Sequence, residues 1–386
     1  MQDPGGEKLS GIRTSLKKYV QEELIPLEKE EKLTPETRFS KPLLQSVWKR
    51  SRALGFYGIH LPEELGGKNL SFVDLCVLKE DLAQMDSVLF PHVLGEMGGP
   101  LRVGHIFQFA TPEQKESFFL PVIRGEKACC FALTELDAGS DAKRIQTRAV
   151  KVGDDYILNG RKHFITASPF ADVAIVIAVT DPDKGAQGIT AFLVDAETPG
   201  YRVEEVDIPM SGQHIEGDIV LDECRVPAKN ILGEEGQGFV LGMGRININR
   251  LLHCPTLVGM AQKLVNLSVA YSQTREQFGG PIGQFQAIQH MLADMATGVY
   301  ACRSMTMAAA ARADRGEDIR MEAAMCKLMV SETAFNIADK AVQIHGAKGL
   351  TKGHPVEWAF RMLRMFRVLT GTSEIQRNTI ARVLMK

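Results

Sequence analysis

Between Ala128 and Leu232 the helical texture of this 386-residue chain stops. CCFALTE, TRAVKVG, YILNGRKHFIT, VAIVIAVT, ITAFLVD and DIVLDECRV follow one another as short alternating or β-branched runs, separated by turn clusters such as GDD, DPDKG and ETPG. Runs of this kind, bounded by Gly, Asp and Pro, read as strands. Strands so closely spaced, with no helix-length pattern between them, predict an antiparallel sheet or barrel and not a nucleotide-binding βαβ fold.

On both sides of this stretch the apolar residues fall three and four apart, the period of a helix with one buried face. SLKKYVQEELIPLEKE, PLLQSVWKRSRALGF and SFVDLCVLKEDLAQM carry it before the strands, and TPEQKESFFLPVIRG reads as a helix opened by Thr111 with Pro112 in its first turn. After Gly236 come three patterns longer than an ordinary globular helix, the third closed by Gly346, and such lengths predict a bundle. A chain this long exceeds one ordinary core. The expected organisation is therefore an N-terminal helical domain (1–127), a middle β domain (128–232) and a C-terminal four-helix bundle (233–386), mainly α overall.

Bulk properties narrow the function. A net charge of −2 and a pI near 6.5 argue against a nucleic-acid partner. No apolar run approaches the length of a membrane span. The N-terminal MQDPGGEKL carries no apolar signal region, and seven scattered cysteines without a CxxC pair fit a reducing compartment. The cytoplasm is the expected location, or the mitochondrial matrix if a transit peptide has been removed. Neither HExxH nor a Walker phosphate loop occurs, and no metal site is expected. The glycines of GEEGQGFVLGMG (233–244) have the wrong spacing and no strand before them, so they read as a loop entering a helix.

Five short motifs remain. TELDAGSD (134–141) sets small residues after a strand, where backbone N–H groups can approach phosphate or a ring edge. HFITASP (163–169) joins an aromatic and a hydroxyl at a strand end. TREQFGGPIGQFQAIQ (274–289) places Arg275 and Phe278 on one helical face before Gly279 breaks the helix. VQIHGAKG (342–349) and GTSEIQR (371–377) are small-residue turns beside polar side chains. Taken singly, each has an ordinary structural reading: a polar turn, strand packing, a basic helix end, a core histidine at His345.

Their order resembles the acyl-CoA dehydrogenase family, over nearly the whole chain from EELIPLEKE to IARVL. The resemblance implies one FAD between the β domain and the C-terminal bundle. Phe131, Leu133, Thr134, Gly139 and Ser140 match the family's first flavin motif. Phe164 and Thr166 match the second, with phenylalanine where tryptophan is usual. Arg275, Gln277, Phe278, Phe285 and Gln286 correspond to residues that reach a neighbouring subunit's FAD. Gln343, Ile344, His345, Gly346 and Ala347, with Thr372 and Glu374, correspond to the loops around the adenosine end. Such sharing implies a homo-oligomer, a tetramer built as a dimer of dimers. The family's reaction is α,β-dehydrogenation of an acyl thioester, on CoA or a carrier protein, with electrons leaving to an electron-transfer flavoprotein. Ser140, Asn247 and Arg250 align with residues that hold the pantetheine and nucleotide of CoA, and the Thr370–Gly371 turn with the one that binds the thioester carbonyl.

One element of the family pattern is missing. The two places where the family carries its proton-abstracting carboxylate fall on Thr370 and Asn249, and neither a hydroxyl nor an amide has a useful basic form near neutral pH. Four readings follow: a carboxylate entering from elsewhere, such as Glu96 or Asp137; use of water or a substrate group, including enoyl reduction; a flavin oxidase or monooxygenase; and a catalytically inactive flavin- or acyl-CoA-binding subunit whose partner supplies the base.

Overall fold

The computed structural model describes residues 6–205 and 208–385. Its longer helices are α1 (Gly6–Tyr19), α2 (Lys41–Ala53), α3 (Phe72–Gln84), α4 (Gly238–Thr274), α5 (Gln286–Asp314), α6 (Arg320–His345), α7 (Pro355–Met365) and α8 (Ser373–Leu384). The strands are β1 (Cys129–Ala132), β2 (Arg148–Val152), β3 (Asp155–Thr166), β4 (Val173–Val179), β5 (Ile189–Asp195), β6 (Tyr201–Glu205) and β7 (Glu216–Pro227). They group into two compact units: one of Glu36–Leu70 with Pro91–Ile246, the other of Met1–Pro35, Ser71–Phe90 and Asn247–Lys386. The N-terminal helices are thus divided between a β unit and a helical unit.

In the β unit, seven strands form one sheet in the order β1-β4-β2-β3-β7-β6, with β5 on the other edge of β4. The VAIVIAV run explains the centre: six of its residues are buried, the mark of a strand covered on both faces. The expectation of an antiparallel sheet needs one correction. β1 and β2 pair with β4 in parallel. A parallel pair needs only a crossover long enough to return the chain, and the loop and β2–β3 hairpin between β1 and β4 serve where a helix would be usual. β6, formed by YRVEE, has too little alternation to announce itself.

In the helical unit, α3 to α7 share a core that includes Leu251, Leu257, Leu264, Met295, Val299, Val330, Ile337 and Leu363. Thr111, in the β unit, opens its helix as expected: its Oγ accepts from Gln114 N–H, and the Gln114 side chain accepts from Thr111 N–H, both at 3.2 Å. Gly346 ends α6 with φ +57°. Of the longer helices, α7 and α8 went unread in the sequence. GTSEIQR is not a bare turn; Thr372 caps α8 by accepting from Ile375 N–H at 3.3 Å. The stretch at 275–278 also differs from expectation: α4 stops at Thr274, and Glu276–Gln277 pairs with Gly280–Pro281 in a small hairpin. Arg275 and Phe278 therefore do not share a helical face.

Candidate active site

In the β unit the first two motifs are fastened together by buried charge. Lys162 on β3 is fully buried, and its ammonium donates to Glu135 Oε1 at 2.7 Å and to the Leu133 carbonyl at 3.2 Å. Glu135 also accepts from Thr147 Oγ1 and from the N–H groups of Gln146 and Thr147. Burial alone would raise the Glu135 carboxyl, but Lys162 and these donors hold it below the ordinary range. Burial pushes Lys162 down to about 8 in spite of its partner. One residue on, His163 N–H donates to the Thr134 carbonyl at 2.8 Å. The TELDAGSD turn is thereby pinned at Leu133, Thr134 and Glu135, while Gly139 and Ser140 stay exposed. A Cβ at Gly139 would meet no atom within 4 Å, so the turn is open to a ligand's approach.

Phe164 sits where the β3–β7 register slips between Lys162 and Ile165. The buried carboxylate of Asp218 replaces the lost ladder bonds, accepting from Phe164 N–H at 3.2 Å, from His163 Nδ1 at 2.6 Å and from Arg161 Nε at 2.7 Å. This bulge holds Phe164 at φ +53° with the residue 49% exposed, and Ala167 follows at +73°. A bulky residue at positive φ is strained, and such strain clusters where a ligand is held. Thr166 lies half-buried at the end of β3. Phe131 is half-buried on β1 and Leu133 buried just after it.

In the helical unit the turn between α7 and α8 carries a second strained pair, Thr370 at φ +57° and Gly371 at +90°. Their two carbonyls collect three donors. Arg250 Nε reaches the Thr370 oxygen at 3.3 Å; Lys327 Nζ and Gln376 Nε2 reach that of Gly371 at 2.6 and 2.8 Å. A Cβ on Gly371 would meet Gln376 Nε2 at 2.9 Å and Arg250 Nη2 at 3.2 Å, so this packing requires glycine. Asn247 Oδ1 holds Arg250 Nη1 at 2.8 Å. Burial lowers Arg250, whose hydrogen-bond partners here are all neutral. Among the described residues the Thr370 N–H donates to no carbonyl, and no carboxylate hydrogen-bonds to Thr370, Gly371 or Asn249. Glu332 is engaged by Ser373 Oγ and Arg367 Nε.

The remaining candidates lie elsewhere in this unit. Arg275, Gln277 and Phe278 are exposed on the hairpin, with Phe278 94% exposed at φ +52°, and Phe285 and Gln286 open α5. Gln343 and Ala347 are exposed at the end of α6, while Ile344 is buried. The His345 ring is committed to structure: Nδ1 donates to the Ala341 carbonyl at 2.8 Å and the ring stacks on Tyr271 at 4.5 Å. Glu374 is exposed in the first turn of α8.

Lys327 and Asp218 were missed in the sequence. Lys327 was legible in principle, since it interrupts a helical face that buries Ala323, Ala324, Val330 and Ser331. Burial brings it down to about 8, and it faces Arg250, Cys254, Glu332 and Glu374. Its folded value lies below the free lysine value, so its charge opposes folding below pH 8 and is relieved as pH rises toward 10.5. Lys327→Met removes that linkage. The unfolding free energy of the natural protein minus that of the variant should therefore rise by about 2 kcal/mol between pH 7 and 10. Parallel denaturant titrations at both pH values measure it, and a flat difference would show that Lys327 titrates alike in the folded and unfolded chains, its charge unopposed by burial.

In the β unit an exposed aromatic on strained backbone, Phe164, beside an open Gly–Ser turn suits a planar ring with polar edges, the demand that a flavin makes. The descriptions "Acyl-CoA dehydrogenase, N-terminal domain", "middle domain" and "C-terminal domain" match residues 6–126, 130–224 and 236–385. The chain belongs to the acyl-CoA dehydrogenase family. Its fold is that of the acyl-CoA dehydrogenases, with an N-terminal helical domain, a central curled β sheet and a C-terminal helical domain along the chain, and it is a flavoprotein oxidoreductase that uses FAD. It is 38% identical to the 3-(aryl)acrylate reductase of Clostridium sporogenes, covering 97% of this chain and 98% of that one. It is 37% identical to subunit CarC of the caffeyl-CoA reductase–Etf complex of Acetobacterium woodii, over 89% and 90% of the two chains. The FAD complex of PigA superposes with a TM-score of 0.90 at 28% identity, over 100% and 99%. Among the described residues of this family member no helix is long and apolar enough to cross a membrane, and no three His, Cys, Asp or Glu side chains gather as a metal site.

Proposed function

We propose that this protein reduces the α,β double bond of a 2-enoyl thioester, carried on CoA or a carrier protein. The supporting observation is the Thr370–Gly371 turn, which keeps the carbonyl-binding backbone and lacks a base. FAD supplies a hydride to the β-carbon when bound and reduced. The Thr370 N–H is the donor for the thioester carbonyl, stabilising the enolate as an oxyanion hole does. Arg250, Lys327 and Gln376 keep that peptide in place through the carbonyls beside it. The two directions make unequal demands. Removing an α-proton from a saturated thioester needs a carboxylate, whereas an α-carbanion is basic enough to take its proton from a hydroxyl or water. Thr370 or a water beside it meets the second demand only. Similarity to an arylacrylate and a caffeyl-CoA reductase points the same way.

Ser140, Asn247 and Arg250 are the residues we assign to the CoA side. Phe131, Leu133, Thr134, Gly139, Ser140, Phe164 and Thr166 are assigned to the flavin of their own subunit, with Gln343–Ala347, Thr372 and Glu374 at its adenosine end. The 275–286 hairpin and helix start, with Phe278 bare to solvent, suit a homo-oligomer in which they reach a partner's FAD, a tetramer in this reading. Electrons enter from an electron-transfer flavoprotein, as the Etf in CarC's own complex suggests. The test is anaerobic: protein reduced with dithionite and freed of excess is mixed with crotonyl-CoA or cinnamoyl-CoA. Return of the yellow flavin band within seconds is the expected result. Failure of every enoyl thioester to restore it, with rapid bleaching of oxidised protein by butyryl-CoA, would reverse the assigned direction. Rapid peroxide formation in air would assign the oxidase chemistry instead.

A further inference from the structure

On α4, His253 follows Asn249 by four residues and Arg250 by three, so the three side chains neighbour one another on the helix surface. This part of α4 meets the Thr370 turn within the helical unit. Arg250 Nε donates to the Thr370 carbonyl at 3.3 Å. The His253 ring stands edge-on to Phe366, centroids 5.5 Å apart, four residues before Thr370. Phe366 is buried and His253 only half-buried, so the imidazole is packed on the segment that leads into the turn and keeps part of its surface open.

Asn249 and Thr370 stand at the two places that border the α-carbon in the reading above, and neither can hold a proton for release near neutral pH. An imidazole can. His253 lies one helical turn from the first place and packs against the approach to the second. The other ionisable groups on the elements packed here are accounted for. On α4 itself they are Arg250 and the thiol of Cys254; from α6 comes Lys327, which faces both. Beyond them Arg367 pairs with Glu332 at 2.8 Å, and Glu332 and Glu374 face Lys327. Lys327, brought down to about 8, is the neighbour whose titration must be told apart from that of His253.

We propose that His253 is the proton source for the α-carbon, acting through the water or the Thr370 hydroxyl beside it. This rests on the reading of the reaction as enoyl reduction. Once the β-carbon has received its hydride, the electron pair of the double bond lies on the α-carbon and thioester oxygen. An O–H bond of the water or hydroxyl breaks as the α-carbon forms its C–H bond. The oxygen left behind takes the ring proton of the imidazolium, and the neutral imidazole regains a proton from solvent. Re-oxidation of the dithionite-reduced holoenzyme by crotonyl-CoA, followed in stopped flow, should slow as pH rises between about 6 and 8, through the imidazole titration. His253→Gln should be slower by about 10²-fold and independent of pH in that range. Free imidazole should restore part of the rate to His253→Ala, and Lys327→Met should keep the falling profile. A second readout needs no turnover. Acetoacetyl-CoA, acidic enough to be held as its α-carbon enolate, should bind oxidised His253→Gln at least tenfold more weakly by the shift of the flavin spectrum, with crotonyl-CoA within about twofold. A flat profile in the natural protein overturns the proposal without any variant. So does a slow His253→Gln that keeps the falling profile, or an equal loss of both ligands, since either marks a structural role. If no enoyl thioester re-oxidises the natural protein, the enoyl-reduction reading falls and takes this one with it.

Discussion

Thr370→Glu is expected to raise the rate at which a saturated acyl-CoA bleaches the bound FAD by about 10²–10⁴-fold, the usual worth of a positioned general base. The substitution supplies the single group that the oxidative direction lacks. The turn should survive it. Thr370 holds φ +57°, which a β-branched residue adopts with more strain than one unbranched at Cβ. What fixes the turn is main chain: the Thr370 and Gly371 carbonyls, held by Arg250, Lys327 and Gln376, do not depend on the side chain. Stopped-flow bleaching with butyryl-CoA, before and after the substitution, gives the answer. An unchanged rate in a variant whose flavin spectrum still responds to the thioester would mean that the α-carbon does not face residue 370, and the proposed pose would be lost. Reduction of enoyl thioesters should slow at most modestly, because a protonated carboxyl still gives up a proton.

What was legible in the sequence follows from how local each signal is. The long helices announce themselves through periodicity, and the Thr111 and Gly346 caps need only a few neighbouring residues. Phe164 and Thr370 stand inside motifs that could be read from the sequence, but the strain of the backbone at both could not. Positive φ at Phe164 depends on Asp218, which lies on β7, and its partners Arg161 and His163 are read as one site only after β3 and β7 pair. The parallel pairing of β1 with β4 was hidden likewise, since strand direction within a sheet is a property of the return path. Lys327, Arg245 and Lys162 show the same limit from the side of charge. A lysine or arginine in a sequence reads as surface, and only the packing reveals that these are nearly solvent-free and whom they face.

Glu135→Ala should be the most destabilising single change proposed, costing about 3–5 kcal/mol. The reason is what it leaves behind. Lys162, fully buried, would retain only the Leu133 carbonyl, while Thr147 Oγ1 and the N–H groups of Gln146 and Thr147 would lose their acceptor. Glu135→Gln keeps an acceptor in nearly the same shape and removes only the charge, so it should cost less. Pairing Glu135→Leu with Lys162→Met removes both ions, and the pair should lose less than the sum of its singles. The effect has a pH signature. Because the folded Glu135 carboxyl lies below its ordinary range, its contribution is complete above the unfolded value, near about 4.3, and fades as pH falls further. Denaturant midpoints of the natural protein, Glu135→Ala, Glu135→Gln, Glu135→Leu, Lys162→Met and the Glu135→Leu/Lys162→Met pair, at pH 7 and pH 3, measure both predictions. The turn it anchors carries Thr134, Gly139 and Ser140, so a folded Glu135→Gln should also release FAD more readily, seen as a raised dissociation constant in fluorescence titration. If Glu135→Ala unfolds within 1 kcal/mol of the natural protein, Lys162 must find water or another acceptor on losing its partner, and the buried pair does not fasten the two motifs together.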